Sequence, residues 1–128
     1  MTDAPPGFGV LLLSGVHDRA HYAFVIATAA AALGRDVTVF ATNAGCRALL
    51  ADWSTLAEAG RDALVCSRGV AGLDTLREVA GELGIRLIAC EAGLRAEALD
   101  PALLLPGVVV AGVATFLEAV RGGQIITC

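Results

Sequence analysis

Apolar runs that read as strands alternate with stretches of helical character along most of the chain. Val10 to Ser14 is a continuous apolar run closed by Ser-Gly, the pattern of a strand buried on both faces. His21 to Leu33 is Ala-rich and predicts a helix that Gly34 stops. Asp36 to Thr42 is β-branched and predicts a second strand, and Gly45 to Trp53 reads as a helix. Asp74 to Leu83 is an amphipathic helix with Asp74 near its start and Gly84 as its stop. Ile85 to Cys90 is a third strand, and Leu94 to Leu99 a short helix broken by Asp100-Pro101. Val108 to Ala111, Val113 to Val120 and Gln124 to Thr127 follow as strand, helix and last strand. Between Ser54 and Leu73 the pattern lapses. Gly60, Gly69 and Gly72 flank a short apolar core, Ala63 to Cys66, which reads as either a strand or a helix turn within an irregular connection that covers a site.

Five strands alternating with helices imply parallel pairing through right-handed crossovers, with helices on both faces of one sheet. At 128 residues the chain has material for one core, so residues 1–128 form one α/β domain with residues 1 to 7 as a frayed lead-in. The helix His21 to Leu33 carries no charged residue. A helix apolar all round is buried all round. A chain this short has no second layer to cover it, so a second copy is the expected cover.

Composition sharpens this picture. The hydrophobic fraction is 56%, charged residues are 17%, and mean hydropathy is +0.72, which excludes disorder. The uncharged runs His21 to Gly34 and Pro101 to Leu117 fall short of the ~20 apolar residues of a membrane span. The first seven residues lack the basic region of a signal peptide, so a cytoplasmic protein without a membrane partner is expected. A net charge of −4 argues against nucleic acid as a partner. All nine basic residues are Arg; without Lys there is no Schiff-base or P-loop chemistry. Cys46, Cys66, Cys90 and Cys128 form no CxxC pair, and a reducing compartment argues against disulfides.

Ligands of open parallel sheets bind beyond the carboxyl ends of the strands. That edge gathers His17, Asp18 and His21 after the first strand, Asn43 after the second, Cys90 ending the third, and Cys128 ending the fifth. Cys90 is the leading candidate. A helix is expected to begin near Gly93 to Arg95, and a thiol facing a helix N-terminus is favoured as thiolate. Arg95 adds to that effect and Glu91 opposes it; a buried structural cysteine is the bland alternative. His17 and His21 are four apart, but His17 is expected to precede the helix, with Asp18 capping it, and no third metal ligand is in view. Cys46 and Cys66 read as structural, while Cys128 is either an exchangeable thiol or the inert end of a core strand. Gly7-Phe8-Gly9 precedes the first strand, so no dinucleotide fingerprint exists, and neither a cofactor nor a metal is expected.

Three blocks then carry a family resemblance: SGVHDRAHYAFVIATAAAALGRDVTVFAT, LREVAGELGIRLIAC and PGVVVAGVATFLEAV. Together they resemble DsrE/DsrF-like sulfur-relay proteins, particularly the single-chain branch often labelled peroxiredoxin-like. The resemblance implies a three-layer α/β/α sandwich with a five-stranded parallel sheet. It also implies a homo-oligomer, trimeric or a multiple of it, and places the family's active cysteine on Cys90. Relatives carry a Ser-Met-rich segment after that cysteine, where this chain has Glu91-Ala92-Gly93-Leu94, and no Thr-x-x-Cys peroxidatic motif is present. The expected function is a sulfur carrier or sulfurtransferase-like protein. Cys90 would hold a persulfide and exchange it with a donor or acceptor protein, with His17, His21, Asn43, Arg95 and Cys128 as supporting candidates. The rival is a non-enzymatic small-molecule-binding or assembly module on the same fold.

Overall fold

Every strand expected from the hydrophobic pattern is present, within two residues at either end, in the computed structural model, which describes residues 6–128. The elements are β1 (Phe8–Leu12), α1 (His17–Ala32), β2 (Val37–Ala41), α2 (Arg61–Ser67), α3 (Leu73–Glu82), β3 (Arg86–Cys90), α4 (Glu91–Ala96), β4 (Val109–Ala111), α5 (Val113–Val120) and β5 (Ile125–Thr127). Two short 3₁₀ turns, Asn43–Leu49 and Pro101–Leu103, complete them. All pairings are parallel, in the order β4-β3-β2-β1-β5.

Side-chain alternation divides the core between the two faces of the sheet. Val10, Leu12, Val39, Leu87 and Ala89 join Ala20, Ala23, Phe24 and Ala27 of α1 and Leu73, Leu76 and Ala80 of α3. On the other face Phe40, Ile88 and Cys90 pack against Phe116 and Val120 of α5, with the Phe40 and Phe116 rings stacked 5.0 Å apart. Among the described residues α5 is the one helix on this face, so its rim stays open: Val109, Val113 and Leu117 are more than half exposed. Asp36, at the entry to β2, joins the faces electrostatically. It accepts from Arg121 (2.7 Å) and Arg86 (3.2 Å), and the Arg121 hydrogen bond is the main reason its carboxyl is held below the usual range.

Several expectations are corrected. α1 begins at His17, so His17 is helical and the N-cap is Val16 with no side-chain cap; Asp18 does not cap it. The Val16 amide, which a cap residue would leave free, is taken by Ser14 Oγ (3.1 Å). Within one chain α1 is covered on one side, with Ala30 buried and Ala29 and Ala32 exposed, which leaves the expectation of a second copy as it stood. The helix expected over Gly45 to Trp53 is the 3₁₀ turn Asn43–Leu49. A tight turn is needed because Gly45 sits against the Leu12 carbonyl, where a Cβ would collide. The connection 54–73 is not wholly irregular: α2 lies in it and carries Cys66 on an exposed position, against the structural reading of that cysteine. α4 starts at Glu91 and ends at Ala96, before the Asp-Pro pair, because Ala98 turns left-handed (φ 53°). The expected lead-in lies mostly outside the described residues. Gly7 is not frayed, because its amide donates to the Val120 carbonyl at 2.8 Å. Among the described residues no helix is long and apolar enough to cross a membrane.

Candidate functional site

Cys90 is both the last residue of β3 and the N-cap of α4. Its backbone is extended (φ −66°, ψ 122°), and its Sγ accepts the Gly93 amide N–H at 3.4 Å. The side chain is 9% exposed, at the carboxyl edge of the α5 face beside Ala111. α4 can press this closely on β2 because residue 93 is Gly. A Cβ there would lie 2.5 Å from the Asn43 amide nitrogen and 2.7 Å from Thr42 Oγ1. Asn43 takes part through its backbone, in a left-handed conformation (φ 50°), while its residue surface stays exposed.

Cys46 lies under the same edge. Its thiol donates to the Ala41 carbonyl (3.5 Å). Burial, with the nearby Cys90 thiol, pushes Cys46 up to about 11, so this thiol stays protonated at neutral pH. Arg95 does not act on Cys90 as expected, because it pairs with Glu91 (2.8 Å) on the exposed side of α4.

The histidines share the carboxyl edge with Cys90 but lie on the other face. His17 is fully buried; its Nε2 meets Asp62 Oδ1 of α2 at 2.8 Å, and its ring stacks on His21 and tilts against Trp53. His21 donates to the Ala71 carbonyl at 2.7 Å. Asp62 Oδ1 also accepts the Leu73 amide (2.9 Å) at the start of α3, and its Oδ2 accepts the Cys66 thiol (3.9 Å). The two histidines therefore fasten segment 54–73 to α1. Among the described residues no group of three or more His, Cys, Asp or Glu side chains is arranged to hold a metal ion. Asp62 and Trp53 are not legible as partners of His17, because these contacts cross 45 and 36 residues and the local sequence carries no trace of them.

Partial burial works to raise the Asp62 carboxyl, but the His17 hydrogen bond, the Leu73 amide and the charges of His17 and His21 outweigh it and hold the group below its ordinary value. A depressed carboxylate stabilises the fold above the unfolded value, ~3.9, and that stability is lost as pH falls through the folded value. Asp62→Asn should therefore lower the urea midpoint at pH 7, and its gap to the parent should narrow below about pH 4. A gap that widened on acidification would contradict this.

Cys128 follows β5. Its amide donates to Leu11 O (2.8 Å), and its carbonyl oxygen accepts from the Leu13 and Ser14 amides. Half-buried against the α1-face core, its thiol is pushed up by burial and pulled back by Arg19. β2 and β1 separate its strand from that of Cys90, about 14 Å at the usual strand spacing.

A family model for DsrE/DsrF-like proteins matches residues 8–127, which takes in every strand and the Cys90 edge. This chain belongs to the DsrE/DsrF-like family. Membership suggests a sulfur-relay role. The fold of this DsrE-like protein is similar to that of the ychN protein from E. coli, with a TM-score of 0.72 at 10% identity, covering 97% of this chain and 100% of that one. It is also similar to MTH1491 from Methanobacterium thermoautotrophicum, a protein of unknown function, with a TM-score of 0.58 at 22% identity, covering 95% and 99%. A comparison with curated proteins gives no match.

Proposed function

We propose that this DsrE-like protein is a sulfur carrier that holds a persulfide on Cys90. The observation that carries the reading is the N-cap geometry: the cysteine that the family resemblance marks as active has its sulfur aimed at the first-turn amide of α4. An anionic sulfur, thiolate or persulfide, is a better acceptor for that N–H than a neutral thiol. Cys90 thiolate attacks the outer sulfur of a donor persulfide, the donor's S–S bond breaks, and the donor thiolate leaves with the electron pair and takes up the proton. The products are Cys90 persulfide and the donor thiol. No oxidant or metal enters the balance. Reversal onto a second thiol delivers the sulfur.

Self-association belongs to the same proposal. Large exposed apolar side chains support it on two surfaces: Tyr22 and Leu33 on the expected segment His21 to Leu33, and Val109, Val113 and Leu117 on β4 and α5.

Incubation of the full chain with a low-molecular-weight persulfide, followed by intact-mass measurement and peptide mapping, tests the carrier reading. The expected result is a gain of one sulfur atom at Cys90 that a reductant removes. Gain only at the exposed Cys66, or none, leaves the binding-module reading in its place.

A further inference from the structure

The sheet reverses its direction of growth at β1. From there the chain adds β2, β3 and β4 on one side, with α1 and α3 on one face; β5 returns to the other side of β1 by way of α5 on the opposite face. At such a switch point the two connections depart in opposite directions and leave a crevice beyond the carboxyl ends of the strands. Here that crevice is a cleft of about 620 Å³ between the first turns of α1, α2 and the end of β5, with Cys128 in its wall.

Its charge is unusual for this chain. Arg19 and Arg61 line it with one acidic side chain, Asp18, on a protein whose net charge is −4. Among the described residues neither arginine has an ion pair or a side-chain hydrogen bond; Arg35 and Arg68, outside the cleft, also lack them, while Arg47, Arg77, Arg86, Arg95 and Arg121 pair with carboxylates. Two unpaired guanidinium groups at one crevice form a ready anion site, since each offers a planar fork of donors to an oxyanion. The remaining wall is apolar, from Val65, Val70 and the half-exposed ring of Tyr22. A cleft of this volume exceeds what an inorganic oxyanion fills and suits a small organic molecule.

We propose that the switch-point cleft binds a small organic anion. Its carboxylate or sulfonate head lies toward Arg19 and Arg61, and its short apolar body lies along Tyr22, Val65 and Val70. The site lies on the face opposite Cys90 and is independent of sulfur transfer.

Cys128 reports on occupancy. Methanethiosulfonate reagents with a sulfonate tail or a trimethylammonium tail share one reactive group. The thiolate attacks the sulfenyl sulfur, the S–S bond breaks, methanesulfinate leaves with the electron pair, and a mixed disulfide remains. On the full chain, with peptide mapping to follow Cys128, the ratio of the anionic reagent's rate to the cationic one's should be at least about tenfold higher than for a free small thiol. The rate with it should saturate with concentration, and propanesulfonate should compete. The preference should collapse in Arg19→Gln with Arg61→Gln and persist in Arg19→Lys with Arg61→Lys. An anionic-to-cationic rate ratio no higher than that of a free small thiol overturns the proposal without reference to any variant. Competition by inorganic sulfate as strong as by propanesulfonate overturns the organic ligand class.

Discussion

A Cys90→Ala chain should fold as its parent does and take up no sulfur from a low-molecular-weight persulfide, while Cys66→Ala and Cys128→Ala chains take up as much as the parent. The substitution removes one N–H···S contact at a helix N-cap and a small buried sulfur. Loss of a cap costs ~1 kcal/mol, too little to unfold a domain stabilised by about 5–15 kcal/mol. The chemical loss is total, because Cys46, the thiol nearest that edge, is held protonated with its value pushed up to about 11. At neutral pH its thiolate fraction is too small to stand in as the nucleophile. Intact mass after exposure to the persulfide reads the outcome, with circular dichroism confirming the fold. Undiminished uptake by Cys90→Ala would transfer the carrier role to another thiol and end the present assignment.

Replacing Arg77 by Met should cost stability on the order of 3 kcal/mol. The side chain is 7% exposed, and its guanidinium donates to the carbonyls of Ala48 (3.2 Å), Leu50 (2.5 Å) and Ala51 (3.1 Å). These carbonyls close the turn Asn43–Leu49, which itself supports the Cys90 edge. Met keeps the length and apolar stem but leaves the carbonyls without donors. The ion pair with Asp74 (3.6 Å) adds little, because that carboxylate side chain is 81% exposed. Urea unfolding should show a lower midpoint with an unchanged slope. Arg77→Lys should recover only part of the loss, since an ammonium cannot bridge three carbonyls as a fork does. A Met variant within ~0.5 kcal/mol of the parent would mean that water satisfies those carbonyls.

The strands and α5 were readable because their signals are local: β-branched runs, a two-residue alternation, and glycine stops. α1 was placed four residues late because its start has no sequence signature. Val16 offers no cap, and Ser14 satisfies the backbone from outside the helix. Cys90 was found from its place at a strand end. Its second role, as the cap of α4, depends on Gly93 fitting under Thr42 and Asn43, a contact between segments fifty residues apart. His17 was expected to assist Cys90. The two share an edge but not a face, a distinction that strand order alone does not contain. Arg77 did leave a trace. Leu73, Leu76, Arg77 and Ala80 follow the i, i+3, i+4, i+7 spacing of a buried stripe, so one charged residue lies in the apolar row. What it grips could be learned only from the packed turn.

The placement of Cys90 and Cys128 on opposite faces, with two strands between their own, also fixes the kinetic order of any chemistry that joins them. A disulfide needs Cα atoms within about 7 Å. One molecule of this fold cannot close that bond, nor pass a sulfur atom directly from one thiol to the other. Every such event requires a collision between molecules or a neighbour in an assembly. Its rate in dilute solution is therefore second order in protein and vanishes on dilution, whereas loading of Cys90 by a small molecule does not depend on protein concentration.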